Sequence, residues 1–250
     1  MAGGAGVSIL MYHAIAEAPG PTSIPPVVFR AQMEALAASG RPVVPLEALL
    51  AGFGAVPPGA VVITFDDGFV DFATEAWPVL RDLALPATVF LPTDKMGGRE
   101  DWAGGHLVAP RPLMSWDQVR ATAAEGVAFG GHSMSHPDLR TLDAAALEAE
   151  LVGCRDRIAA ELGQVPETFA PPYGATNPTV RAACARHFRL SVGTRLGRAV
   201  GASDPHDLPR LEMHYFRDLG RWQAYLAGRA EGYLLVRQLM RSVRRTIAGG

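Results

Sequence analysis

Short apolar, β-branched runs alternate along this chain with longer stretches in which apolar residues recur every three or four positions. The short runs, over residues 7–12, 61–65, 87–91, 127–130, 168–170, 189–193 and 211–213, predict strands. The longer stretches predict helices over 28–38, 69–83, 116–125, 144–162, 178–187 and 219–245. Several ends carry their own signals. Ser115 followed by Gln118 forms a capping-box pattern, Asp143 can cap the helix that stops at Gly163, and Asn177 precedes Pro178 at a first helical position. Strands alternating with helices imply a mostly parallel sheet with helices outside. Seven such units in 250 residues fit a closed α/β barrel, as one domain, better than an open sheet. Chemistry in such a barrel belongs at the carboxyl ends of the strands.

Composition narrows the class. The chain is 48% hydrophobic and 19% charged, enough to bury a large single core. No apolar run reaches the ~18 residues that a membrane-spanning helix requires. The first residues, Met1 to Gly6, hold no Lys or Arg, so they read as the lead into a strand rather than a signal peptide, and the expected compartment is the cytoplasm. A net charge of −2 argues against a nucleic-acid partner bound by bulk charge. Cys154 and Cys184 fall on two different expected helices and read as free, buried thiols. The exception to the average is 221–250, with six arginines against one acid, Glu231. Following the main domain over 1–220, it reads as a basic amphipathic helix packed on or appended to that domain. Peripheral contact with a membrane or a lipid-linked substrate is a second reading of it.

Polar residues then appear where a barrel would use them. After the apolar run 60–63 comes Thr64-Phe65-Asp66-Asp67-Gly68, two adjacent carboxylates at a strand end. Buried acids are costly unless a cation compensates them. Neighbouring side chains diverge on an extended strand, so both acids share a site only if the chain is turning, which Gly68 would allow. After the run 127–131 comes His132-Ser133-Met134-Ser135-His136, whose two imidazoles can reach one ion. Two histidines with a carboxylate and an open position make a catalytic metal set, best suited to zinc, with cobalt, nickel or iron as substitutes. A third stretch, Phe169-Ala170-Pro171-Pro172-Tyr173-Gly174, is a stiff loop able to aim a backbone N–H.

These three motifs, in this order between about Val7 and His214, resemble the polysaccharide deacetylases of carbohydrate esterase family 4, the NodB-homology group. The loop chemistry is similar to that of the poly-N-acetylglucosamine deacetylase branch. The resemblance implies a deformed (β/α)7 barrel and removal of acetyl groups from N-acetylated sugars by metal-activated water. It makes Asp66 the general base and Asp67, His132 and His136 the metal ligands. Ser133 would brace the histidine loop, and the Tyr173 N–H would help hold the oxyanion. Two positions depart from the pattern. Ala170 stands where many members have the Arg that orients the base, and Arg210 is the candidate replacement. The late Leu-x-His acid motif is here Glu212-Met213-His214, while Met11-Tyr12-His13 resembles the early Tyr-His of the poly-N-acetylglucosamine branch. His13 is therefore preferred over His214 as the acid. Trp116, Pro172 and Arg210 are the candidate substrate contacts, and 92–112 the candidate substrate-shaping loop. A non-sugar amide or cyclic imide as substrate, or an inactive carbohydrate-binding relative, are the alternatives at this point.

Overall fold

A computed structural model of the chain describes residues 6–102, 110–230, 232–238 and 240. Gly104 and Gly105 of the expected substrate loop, and Arg241, Arg244 and Arg245 of the basic tail, lie outside the described residues.

Seven parallel strands close into a barrel: β1 (Ser8–Tyr12), β2 (Val61–Phe65), β3 (Thr88–Leu91), β4 (Ala128–Gly131), β5 (Thr168–Phe169), β6 (Leu190–Leu196) and β7 (Leu208–Glu212). β7 returns to pair with β1 at Leu10↔Leu211, which completes the ring. The ring is uneven. β4 and β5 share only the Gly131↔Phe169 pair, and the β6–β7 register slips between Val192 and Leu196.

Alternation along the strands sorts residues into two cores, as a barrel requires. Ile9, Val62, Phe90, Val192 and Leu208 fill the interior with Leu46, Leu49 and Val56, which plug one end. Leu10, Ile63, Phe65, Val89, Leu91 and Leu211 face outward into the layer of helices. On β2 this parity carries Val62, Thr64 and Asp66 inward, and on β7 Leu208, Arg210 and Glu212. The interior thus changes from hydrocarbon at the plugged end to ionisable groups at the other.

The helices are α1 (Pro26–Ala38), α2 (Trp77–Asp82), α3 (Trp116–Ala124), α4 (Ala144–Leu162), α5 (Pro178–His187) and α6 (Leu219–Leu226). The caps expected at Ser115, Asp143 and Asn177 are all formed. Two expected helices are interrupted. The one over 69–83 is a π-helical segment, Phe72–Ala76, followed by α2. Pro78 has no N–H to return to the carbonyl four residues back, and the helix opens there. The one over 219–245 stops at Leu226, because Gly228 takes φ 74° and the Arg229 N–H folds back to the Ala224 carbonyl at 2.8 Å. Helix resumes over 232–238. Trp222 of α6 is fully buried and stacks on Tyr225, so α6 is part of the outer core. No helix among the described residues is long and apolar enough to cross a membrane.

Both cysteines are free and buried, as expected, and burial pushes each thiol up to about 12.

Candidate metal centre and active site

The site begins where β2 stops being a strand. The Asp66 N–H still bonds the Tyr12 carbonyl at 2.9 Å, so Asp66 keeps the inward parity of Thr64. The turn then starts on Asp67 itself (φ 72°), one residue before the expected Gly68 (φ 67°). A left-handed aspartate brings the second carboxylate back to the side that an extended residue would leave. A side chain at Gly68 would be strained by the positive φ and would force Leu91 Cδ2, 2.7 Å from a Cβ, to move.

β4 ends in the same way. The His132 N–H bonds the Leu91 carbonyl at 3.0 Å, and its Nδ1 donates to the Ala170 carbonyl at 2.5 Å. That bond selects the tautomer that leaves Nε2 free as a ligand. Ser133 (φ 66°) and His136 (φ 64°) are left-handed, and the Ser133 hydroxyl accepts the His136 N–H at 3.1 Å. Of the five non-glycine residues with positive φ among those described, four belong to these loops: Asp67, Ser133, His136 and Tyr173. Strain concentrated in this way is characteristic of functional sites.

Asp67 Oδ1 stands 3.3 Å from Nε2 of His132 and 3.3 Å from Nε2 of His136. Donors bound tetrahedrally at ~2.0–2.1 Å from a common ion would lie about 3.3–3.4 Å apart. The buried set therefore fits a divalent cation by donor type and by spacing. Burial alone would raise the Asp67 pKa, but hydrogen bonds from both imidazoles outweigh it and hold the carboxyl far below its usual range. Burial keeps His136 below its ordinary value; on His132 the Asp67 bond and the two nearby carboxylates outweigh burial and raise it. Trp102 stacks on the His136 ring at 4.1 Å and Tyr173 meets it edge-on at 4.7 Å.

Asp66 is held from below. Arg210 reaches from β7 to give NH1 to Asp66 Oδ1 and NH2 to Oδ2, both at 2.7 Å, while its Nε bonds the Gly193 carbonyl at 2.8 Å. Burial is the largest influence on Asp66 and would raise its pKa. The Arg210 charge and hydrogen bonds, helped by His13 and His132, outweigh it and lower the value. Arg210 itself is 1% exposed beneath the carboxylate, so the expected direct contact with substrate is not available to it. His13 follows the inward parity of β1 and places Nε2 3.8 Å from Asp66 Oδ2.

A cavity of about 340 Å³ opens over these groups, lined also by Tyr173, Trp102, Glu100, Arg111 and Glu212. His214 does not line it. The chain leaves β7 into a tight turn at Met213–Phe216, which rotates His214 toward Tyr215. Trp116 does not line it either, because as the first residue of α3 it faces α4 under the Arg157 guanidinium, 5.2 Å from the ring centre. Pro172 is buried behind the cavity wall, and the neighbouring Tyr173 ring is the exposed element of that loop. Sequence reasoning missed Trp102, Glu100 and Arg111. All three lie within the loop singled out as substrate-shaping, but irregular backbone has no periodicity to say which way they point.

Arg111 ties that wall together. It pairs with Glu100 through Nε (2.8 Å) and NH2 (2.7 Å), and NH1 bonds Ser23 Oγ at 3.1 Å. Nearby, Asp71 accepts the Ile15 N–H at 2.8 Å, and burial pushes its carboxyl up to about 6. A carboxyl with a raised folded value binds its proton more tightly when folded, so stability falls as pH rises through this window. Asp71→Asn keeps an acceptor for Ile15 and removes the charge. We expect it to gain about 3 kcal/mol over wild type above the raised value and nothing below the ordinary one. Urea unfolding of both proteins at pH 4 and pH 7.5 measures this, and a difference independent of pH would refute it.

Residues 54–188 match the family described as polysaccharide deacetylase. A chitin deacetylase from Pestalotiopsis sp. is 32% identical over 120 residues, 48% of this chain and 36% of that protein. YxkH from Bacillus subtilis (strain 168) is 28% identical over 209 residues, 82% of this chain and 70% of that one. The chain thus spans about a third of the first relative's length and somewhat over two thirds of the second's. The Streptococcus pyogenes deacetylase PplD shares the fold at TM-score 0.71 and 24% identity, covering 82% of this chain and 91% of that one. With more than half of its length matched, and with the barrel and its three loop motifs in place, the chain belongs to the polysaccharide deacetylase family.

Proposed function

We propose that this protein is a metal-dependent hydrolase that removes acetyl groups from N-acetylated sugars of the N-acetylglucosamine type. The observation that carries this reading is a buried, ionised Asp66, clamped by Arg210, directly beside the Asp67/His132/His136 donor set. Zinc is the ion whose chemistry suits two imidazoles and a carboxylate with an open position. When bound, such an ion supplies Lewis acidity to water and to the acetamide carbonyl.

The chain's own residues do the rest. Asp66 takes the proton of the attacking water, with both carboxylate oxygens already oriented by Arg210. The Tyr173 N–H helps hold the developing oxyanion, a role supported by the place of this left-handed residue on the cavity wall. His13 gives a proton to the departing amine, so acetate and a free amine leave. Its support is position, since His13 lines the cavity and His214 does not. Trp102 and Tyr173, flanking His136, are suited to stack on a sugar ring.

The basic carboxyl-terminal segment supports a contact with an anionic lipid surface or a lipid-linked substrate. Leu234 is buried against the domain and Gln238 bonds the Leu196 carbonyl, while Leu235, Val236 and Met240 are exposed, in a stretch whose sequence carries Arg237, Arg241, Arg244 and Arg245.

The test is acetate release by zinc- or cobalt-loaded protein from chitin oligomers, poly-N-acetylglucosamine, peptidoglycan fragments and a lipid-linked N-acetyl sugar. Co-sedimentation with phosphatidylglycerol vesicles accompanies the last arm. Release from at least one sugar is expected. Sugar binding without release from any would favour an inactive binding relative, and ring opening of a cyclic imide, assayed in parallel, with no release from any sugar would move the substrate outside carbohydrates.

A further inference from the structure

The loop that carries both histidines is gripped from outside the site. α4 crosses behind it, and the Glu150 carboxylate accepts three hydrogen bonds from the two residues at its crown. Oε2 takes the Met134 N–H at 2.7 Å and the Ser135 N–H at 3.0 Å, while Oε1 takes the Ser135 hydroxyl at 2.6 Å. One turn further along the same helix, Gly153 leaves room for the Met134 side chain, whose Sδ would lie 2.1 Å from a Cβ there.

The reason for a carboxylate at this point is the backbone. Ser133 and His136 are both left-handed, and between them two successive N–H groups point the same way. Such a pair of amides forms a concave, electropositive nest that favours an anion. Glu150 supplies that anion from within the chain. It lies between the two ligands in the loop's framework and touches neither imidazole in the hydrogen-bond pattern of the site. Without it, the strain of two left-handed residues would be opposed mainly by the Ser133–His136 bond and the loop's ties to Thr93 and Asp94.

We infer that Glu150 is a positioning residue that sets the metal affinity of the site by holding His132 and His136 in ligating geometry. This rests on reading Asp67, His132 and His136 as the metal centre. The distinguishing measurement is zinc affinity, by chelator competition on the full chain, with the visible spectrum of bound Co²⁺ as a report on ligand geometry. Glu150→Ala is expected to weaken zinc binding about 10–100-fold, the range typical of lost support behind ligands. Glu150→Gln can still accept both amide N–H groups, with the Ser135 hydroxyl turned to accept, and is expected to recover most of the loss. Ser135→Ala, which removes one bond of the three, should fall between. Melting of the metal-free proteins is the control for folding. Wild-type affinity and an unchanged cobalt spectrum in folded Glu150→Ala would overturn the proposal. A loss that tracks the melting temperature alone, without recovery in Glu150→Gln, would overturn it too. Wild-type protein that binds zinc no better than Asp67→Asn would instead remove the metal-centre reading, and this inference with it.

Discussion

Asp66→Asn is expected to lower acetate release by about 10²–10⁴-fold, the range for loss of a positioned general base, while zinc binding persists. Asparagine keeps the shape of the side chain but cannot take a proton from water. The proposed ligand set on Asp67, His132 and His136 does not include Asp66, so binding and turnover should separate in this variant. The histidine candidates should separate in the same assay. His13→Ala should lose a comparable factor, because His13 lines the cavity 3.8 Å from Asp66. His214→Ala should stay near wild type, because its ring is turned toward Tyr215 outside the cavity. Near-normal turnover by metal-loaded Asp66→Asn would end the base assignment, and a large loss in His214→Ala with none in His13→Ala would reverse the choice of acid.

Arg210→Met is expected to destabilise the protein by about 3–5 kcal/mol at neutral pH, because it strands the buried Asp66 carboxylate without its partner. The sign with pH follows from the direction of the Asp66 shift. Its folded value is lowered, so the pair contributes fully above the ordinary carboxylate value and is lost as pH falls through the lowered one. The penalty of Arg210→Met should therefore shrink in acid, where Asp66 protonates. With Arg210 gone, only burial and weaker neighbours act on Asp66, so the acid limb of the turnover profile should move to higher pH. Adding Asp66→Asn to Arg210→Met should recover much of the stability. Arg210→Lys should not restore the wild-type profile, since an ammonium cannot reproduce the two parallel bonds of the guanidinium. Chemical unfolding and pH–rate profiles of wild type and these three variants decide this. A neutral-pH loss under 1 kcal/mol would show that the pair is not what holds Asp66 in place.

Arg210 was named from the sequence as a candidate partner for the base, and its geometry is where the sequence stopped being readable. It lies 144 residues from Asp66 along the chain, and nothing local says that the two side chains meet or how. The bridge is visible once β7 lies across the interior from β2 and both present the same parity to the barrel axis. Glu150 is similar. On the sequence it is one more acid on an amphipathic helix, and its role depends on two left-handed residues that no periodicity reports.

The strand and helix pattern, the caps at Ser115, Asp143 and Asn177, and the metal-type spacing of Asp67, His132 and His136 were legible because they are local. They depend on alternation, on short-range hydrogen bonding, or on residues gathered at strand ends that a barrel brings together. The breaks at Pro78 and Gly228 were local as well, but a long apolar pattern outweighed one residue in the reading. The geometry of those motifs' partners was decided by tertiary structure. The packing of Trp116 against α4, the approach of Trp102 to His136 and the two-pronged grip of Arg210 on Asp66 are contacts between distant segments, and the turn after β7 sets the direction of His214. Barrel closure and the turn of each loop set them, and a sequence states neither until the chain has folded.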